Sequence, residues 1–101
     1  MAENRIYTSR EMREENIYTH DFQFMNEPCT VTGTLVLKAE SRKPGTLRVF
    51  FQLDDGRKII SSVFWWQKYL GMYEMEIGTQ LTLTYQAARN GGIYLMAAEE
   101  M

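Results

Sequence analysis

The sequence predicts an all-β domain with a minor helix, and three observations carry that prediction. Alternating apolar and polar residues recur in short runs at 30–39, 47–53, 59–66, 80–85 and 93–97. Asp55-Gly56 and Asn90-Gly91-Gly92 each stand between two such runs, the composition of tight hairpin turns. Only Trp66–Ile77 changes to a helical period, with Trp66, Tyr69, Leu70, Tyr73 and Ile77 on one stripe. A chain of 101 residues is long enough for one domain with a single modest core.

The elements follow in order. Thr8-x-x-Glu11 has the form of a capping box, with helix formers after it. Ile6, Met12 and Ile17 are too sparse for a strong amphipathic face, so a short helix and a partly ordered arm are both open here. His20–Met25 alternates with Phe22 and Phe24 on one side and is broken by Asn26-Glu27-Pro28, which predicts an extra strand. Residues 1–27 therefore read as an arm with an extra strand, and 28–101 as the main domain.

In the run 30–39, Val31, Gly33, Leu35, Leu37 and Ala39 point one way and Thr30, Thr32, Thr34 and Lys38 the other. Gly33 inside that pattern predicts a bulge or bend. The loop Glu40–Gly45 follows, with Arg42 and Lys43 before a Pro-Gly turn. A two-residue Asp55-Gly56 turn pairs Phe50 with Ser61 and Gln52 with Ile59. That register gathers Arg48, Phe50, Gln52, Arg57, Ile59, Ser61, Val63 and Trp65 on one face. Leu47, Val49, Phe51 and Leu53 then share the core with Ile60, Phe64 and Trp66. A slip of one residue reverses the second strand, so register decides between Trp65 and Trp66. Gly78-Thr79 ends the helical stretch and launches a strand with Leu81, Leu83 and Tyr85 inward.

Several function classes are disfavoured. No run of 18 or more apolar residues spans a membrane, and the N-terminus lacks the apolar stretch of a secretory signal. The only cysteine, Cys29, rules out an internal disulfide, suits a reducing cytoplasm and reads as a packing residue. His20 beside Asp21 has no nucleophile motif to complete it. No metal spacing and no phosphate-binding glycine loop occurs, so neither an enzyme nor a metal or other cofactor is expected. The net charge of −2 is unevenly spread. Residues 1–27 carry three arginines against six carboxylates, and 28–98 carry eight cations against five, so the strand-rich part is mildly basic between acidic ends.

Three strands, a helix and two strands within about 70 residues is the layout of the OB-fold. The fold expected is thus a five-stranded Greek-key barrel with a helix between its third and fourth strands. The rival is an unrelated β-sandwich or open sheet. Val63-Phe-Trp-Trp-Gln-Lys-Tyr69, Ile77-Gly-Thr-Gln-Leu-Thr-Leu-Thr-Tyr85 and Asn90-Gly-Gly-Ile-Tyr-Leu95 resemble the second half of bacterial single-stranded-DNA-binding proteins. The resemblance covers about 29–98 and implies an OB-fold that binds single strands and often oligomerises. The chain departs from that family in its acidic N-terminal extension, its short last hairpin and its end at Met101.

Single-strand binding needs aromatic faces for bases and cations along the backbone. Arg48, Phe50, Gln52, Arg57, Lys58 and Trp65 on the central hairpin supply both, with Arg42, Lys43 and Arg89 in loops at one rim. The function expected is non-catalytic binding of single-stranded nucleic acid, DNA first. The alternative is a protein–protein module or a homodimer formed through an open edge, since exposed aromatics also anchor interfaces.

Overall fold

Strand β2 (Cys29–Glu40), rich in threonine and valine, organises the sheet. In the computed structural model, which describes residues 4–101, β5 (Gln80–Ala87) pairs antiparallel with its first half and β3 (Thr46–Leu53) with its second. The first three residues of the expected arm lie outside the described residues. The two partners overlap on β2 only at Gly33 and Thr34. A Cβ on Gly33 would stand 2.9 Å from the Gln52 carbonyl oxygen and 2.9 Å from a Leu53 methyl. The glycine thus lets two strands close on one point. Gly33→Ala is expected to cost about 1–3 kcal/mol through this overpacking. An unchanged urea midpoint would remove that role.

The bulge expected at Gly33 falls three residues later, between Leu35 and Leu37. The extra residue, Val36, reverses the alternation. Leu35 faces the main core, Leu37 and Ala39 face the opposite side, and Lys38, expected outward with the threonines, turns inward and is fully buried.

The hairpin of β3 with β4 (Lys58–Phe64) forms with a different register. Residues 54–56 make a three-residue loop: Gly56 donates its N–H to Leu53 and takes φ 95°, and Leu53 bonds Arg57. Phe50 therefore pairs with Ile60, and Gln52 with Lys58, in β4. The expected faces of the second strand are exchanged. Ile59, Ser61 and Val63 enter the core with Leu47, Val49, Phe51 and Leu53, while Lys58, Ile60, Ser62 and Phe64 share the outer face with Phe50.

The helix expected over 66–77 is only a 3₁₀ turn, Lys68–Leu70, ended by Gly71 in the left-handed region at φ 67°. The predicted stripe divides: Leu70 is buried and Ile77 packs partly against the core, while Trp66, Tyr69 and Tyr73 are exposed, and Met72, off the stripe, is buried. The carbonyls of Met72, Tyr73 and Met75 accept hydrogen bonds from the Lys38 ammonium at 3.1, 2.9 and 2.6 Å. They are thus committed to a side chain rather than to a helical ladder. The last hairpin agrees with its sequence: Asn90 Oδ1 accepts from Gly92 N–H at 2.8 Å, Gly91 takes φ 84°, and β6 (Ile93–Glu100) pairs with β5.

The expected capping box is present at the start of α1 (Ser9–Glu14), with Thr8 and Glu11 bonding reciprocally. The extra strand shortens to β1 (Gln23–Phe24), parallel to β4. The six strands run in the order β1-β4-β3-β2-β5-β6, a single sheet, and the class is all-β. No ladder joins β4 to β6. Gln67, just past the end of β4, donates its Nε2 to the Leu95 carbonyl of β6 at 2.7 Å, and the buried Ser61–Tyr85 hydroxyl pair, 2.7 Å apart, joins β4 to β5. The main core lies inside this curved sheet. A second cluster lies outside it, where Tyr7, Met12, Ile17 and Phe22 of the arm cover Leu37, Ala39, Phe50 and Ile60.

Candidate functional site

The chain turns sharply after β4, and Gln67 holds that turn. Its amide oxygen accepts from Phe64 N–H at 3.1 Å, its backbone N–H donates to the Phe64 carbonyl, and its amide nitrogen reaches across to Leu95. With Gln67 buried as the anchor, the two residues before it project: Trp65 is 67 % exposed and Trp66 51 % exposed. Trp66 lies parallel to Phe64, 3° between planes and 6.1 Å between centroids, and Tyr94 meets Phe64 edge-on at 5.8 Å. The loop before β3 brings Pro44 and Gly45 under Trp65; a Cβ on Gly45 would lie 3.4 Å from the Trp65 Cβ.

Pro44, Phe64, Trp65, Trp66 and Tyr94, with Lys43, Thr46, Ala88 and Met96, enclose an open cleft of about 550 Å³. A further depression of about 430 Å³ lies between Trp65, Lys68, Tyr73 and Glu74, so Trp65 is a wall shared by both. Flat rings stand on several sides of the cleft with cations at its margins. Arg42, Lys43, Lys68 and Arg89 form no ion pair among the described residues. Chemically the cleft suits a planar apolar group carrying negative charge.

The nine residues singled out from the sequence separate into groups. Lys43 and Trp65 line the cleft. Arg89 is exposed in the β5–β6 hairpin, beside the cleft residue Ala88. Arg42 and Arg48 border a separate depression with Ser9 and Ser41. The Arg48 Nε donates to the Glu40 carbonyl at 3.0 Å. Arg57 is held by Asp55 at 2.9 Å and Lys58 by Asp21 at 2.8 Å. Both carboxyls sit below their ordinary range: Asp55 accepts from Arg57 N–H and from its guanidinium, and Asp21 accepts from the Lys58 ammonium. Gln52 donates to the Gly56 carbonyl at 3.1 Å and serves the turn.

Phe50 does not offer an open ring. It is 0 % exposed, with Phe22 edge-on at 5.1 Å and the Arg48 guanidinium 5.9 Å from its centroid. It faces away from the main core, as the alternation requires, but the arm fills the space above it.

Phe64, Tyr94 and Met96 line the cleft without having been singled out, and so does Trp66, which the sequence offered only as the alternative to Trp65. The one-residue change of register hid Phe64 and Trp66, which the two-residue turn assigned to the core. Tyr94 was legible, since it alternates against the inward Leu95. Among the described residues no group of three His, Cys, Asp or Glu side chains could hold a metal ion. Burial raises the Cys29 thiol, first by desolvation, and this disfavours the nucleophilic thiolate. No helix of the described residues is long and apolar enough to cross a membrane.

No protein-family model, curated protein or solved structure matches the chain.

Proposed function

We propose that residues 28–101 are a barrel of the OB type that binds single-stranded nucleic acid, DNA first, without catalysis. The strand order β4-β3-β2-β5-β6 supports the barrel reading, with β2 antiparallel to both neighbours and bent by a bulge where one partner gives way to the other. The bond from Gln67, at the end of β4, to Leu95 of β6 stands where such a barrel closes.

One observation carries the binding reading: the cleft of Phe64, Trp65, Trp66 and Tyr94, with Lys43 on its lip and Lys68 beyond Trp65. Rings in this arrangement stack bases of any sequence, and unpaired cations meet the phosphates between them. The site moves from the Phe50 face to the end of the β3–β4 hairpin, at the rim formed by the two loops.

Intrinsic tryptophan fluorescence titrated with oligonucleotides tests this. Trp65→Ala is expected to weaken binding by about 1–3 kcal/mol, as for loss of one stacked base. If the four unpaired cations contact phosphates, log K falls against log salt with a slope near −3. No oligonucleotide response at low salt, with self-association seen by light scattering, would instead make the exposed aromatics a protein–protein contact.

A further inference from the structure

The outer face of the β3–β4 hairpin runs unbroken from the cleft to the arm. The pairs Thr46–Phe64, Arg48–Ser62, Phe50–Ile60 and Gln52–Lys58 succeed one another along it. Phe64 belongs to the cleft, and Ile60 lies about 13 Å further along at the usual rise per residue. A strand of nucleic acid leaving the cleft along this face would next need a ring to stack on and a cation for a phosphate. Phe50 and Lys58 are those groups, and both are occupied by the arm.

The occupants are adjacent residues. Asp21 places a carboxylate oxygen 2.8 Å from the Lys58 ammonium, and Phe22 packs edge-on against Phe50. The Lys58 Nζ also lies 5.7 Å from the Phe22 ring centroid. An anion on the cation and a ring on the ring is what a nucleotide would present. The rest of the arm crosses the same face and is tethered on both sides. Tyr7 exchanges backbone bonds with the second half of β2, Tyr7 N–H to Lys38 at 3.0 Å and Glu40 N–H to Tyr7 at 2.9 Å. At the far side β1 pairs with β4 over only two residues. Such short tethers suit an element that leaves while the barrel stays folded.

We propose that Asp21-Phe22 is an internal stand-in for a nucleotide, seated on Lys58 and Phe50, and that a single strand long enough to extend past the cleft displaces it. This rests on the single-strand reading of the cleft. Because the arm and the strand compete for one surface, apparent affinity falls by the factor by which the docked arm outweighs the free one. Loosening the arm without removing it therefore raises affinity, and only for strands that reach this far.

The test compares single-stranded DNA of about 4 and about 12 nucleotides, within the span of sites on OB-folds, on the full chain and on the double variant Asp21→Asn/Phe22→Ala. The expected result is unchanged binding of the short strand and about tenfold tighter binding of the long one. Equal affinities for the long strand in both proteins would overturn the proposal, as would equal tightening for both lengths, which indicates a general charge effect. Binding of neither strand to either protein would remove the single-strand reading itself. Should the variant fail to fold, amide exchange on the unmodified chain decides. The long strand should cost Tyr7 and Glu40 N–H, which bond the arm to β2, their protection, and retained protection in a saturated complex refutes displacement.

Discussion

Phe50→Ala is expected to lower the folding stability by about 3 kcal/mol, near the low end for a buried phenylalanine. The ring is 0 % exposed and packs with Ala39, Met12, Phe22, Leu37 and Ile60. Truncation leaves a void lined on one side by β2, β3 and β4 and on the other by the arm. The arm can retreat more easily than the sheet, and that limits the cost. Two measurements taken together read the result. Urea denaturation gives the loss of stability, and amide exchange gives faster opening of α1 and of the Tyr7 bridge. An open stacking ring would behave in the opposite way, with binding weakened and the urea midpoint unmoved. A variant with unchanged midpoint and unchanged exchange in the arm would show that the arm does not rest on Phe50.

The same residue marks how far the sequence could be read. Alternation along Leu47–Leu53 put Phe50 opposite the main core, and it is there. Whether that side meets solvent depends on the arm, and Met12, Ile17 and Phe22 are too widely spaced to announce a buried face. They work because α1, the segment just after its C-terminal turn and the residue just before β1 each present one side chain to the sheet, a pattern with no single period. The strands themselves were legible because their apolar residues alternate and their turns hold glycine with asparagine or aspartate. Register was not. Asp54-Asp55-Gly56 contains the Asp-Gly pair of a two-residue turn, yet Gly56 sits in the left-handed position of a three-residue loop, and one residue exchanges the faces of β4. That step hid Phe64 and Trp66 while leaving Trp65 exposed for a different reason, the turn anchored by Gln67. The 66–77 stripe misled because Gly71 takes the left-handed conformation and the following carbonyls serve Lys38.

Lys38→Met is the second large effect expected, a loss of about 3 kcal/mol. The lysine is 0 % exposed, and its ammonium donates to three backbone carbonyls of the β4–β5 connection, with Asn4 Oδ1 at 3.4 Å. A methionine fills nearly the same volume but returns no hydrogen bond. Each carbonyl left without a partner costs about 1–3 kcal/mol, less where water enters. Segment 71–77 should then exchange its amides faster, since these bonds fix it to β2. The pH dependence identifies the charge. Burial pushes the Lys38 pKa below its ordinary 10.5, and the opposing pull of Glu74 is smaller. Between the lowered value and 10.5 the unfolded chain holds a proton that the folded chain has released, so this group makes stability rise with pH across that window. Tyr85 acts with the opposite sign: desolvation pushes its phenol to about 12 from 10.0, and the unfolded chain ionises first. Cys29, also raised, does the same. Both remain in the variant, so subtracting its urea stability from that of the unmodified chain isolates the lysine. The difference should grow with pH in the alkaline range below 10.5. A difference independent of pH would mean that the buried ammonium has an ordinary affinity for its proton, its carbonyl partners fully replacing water.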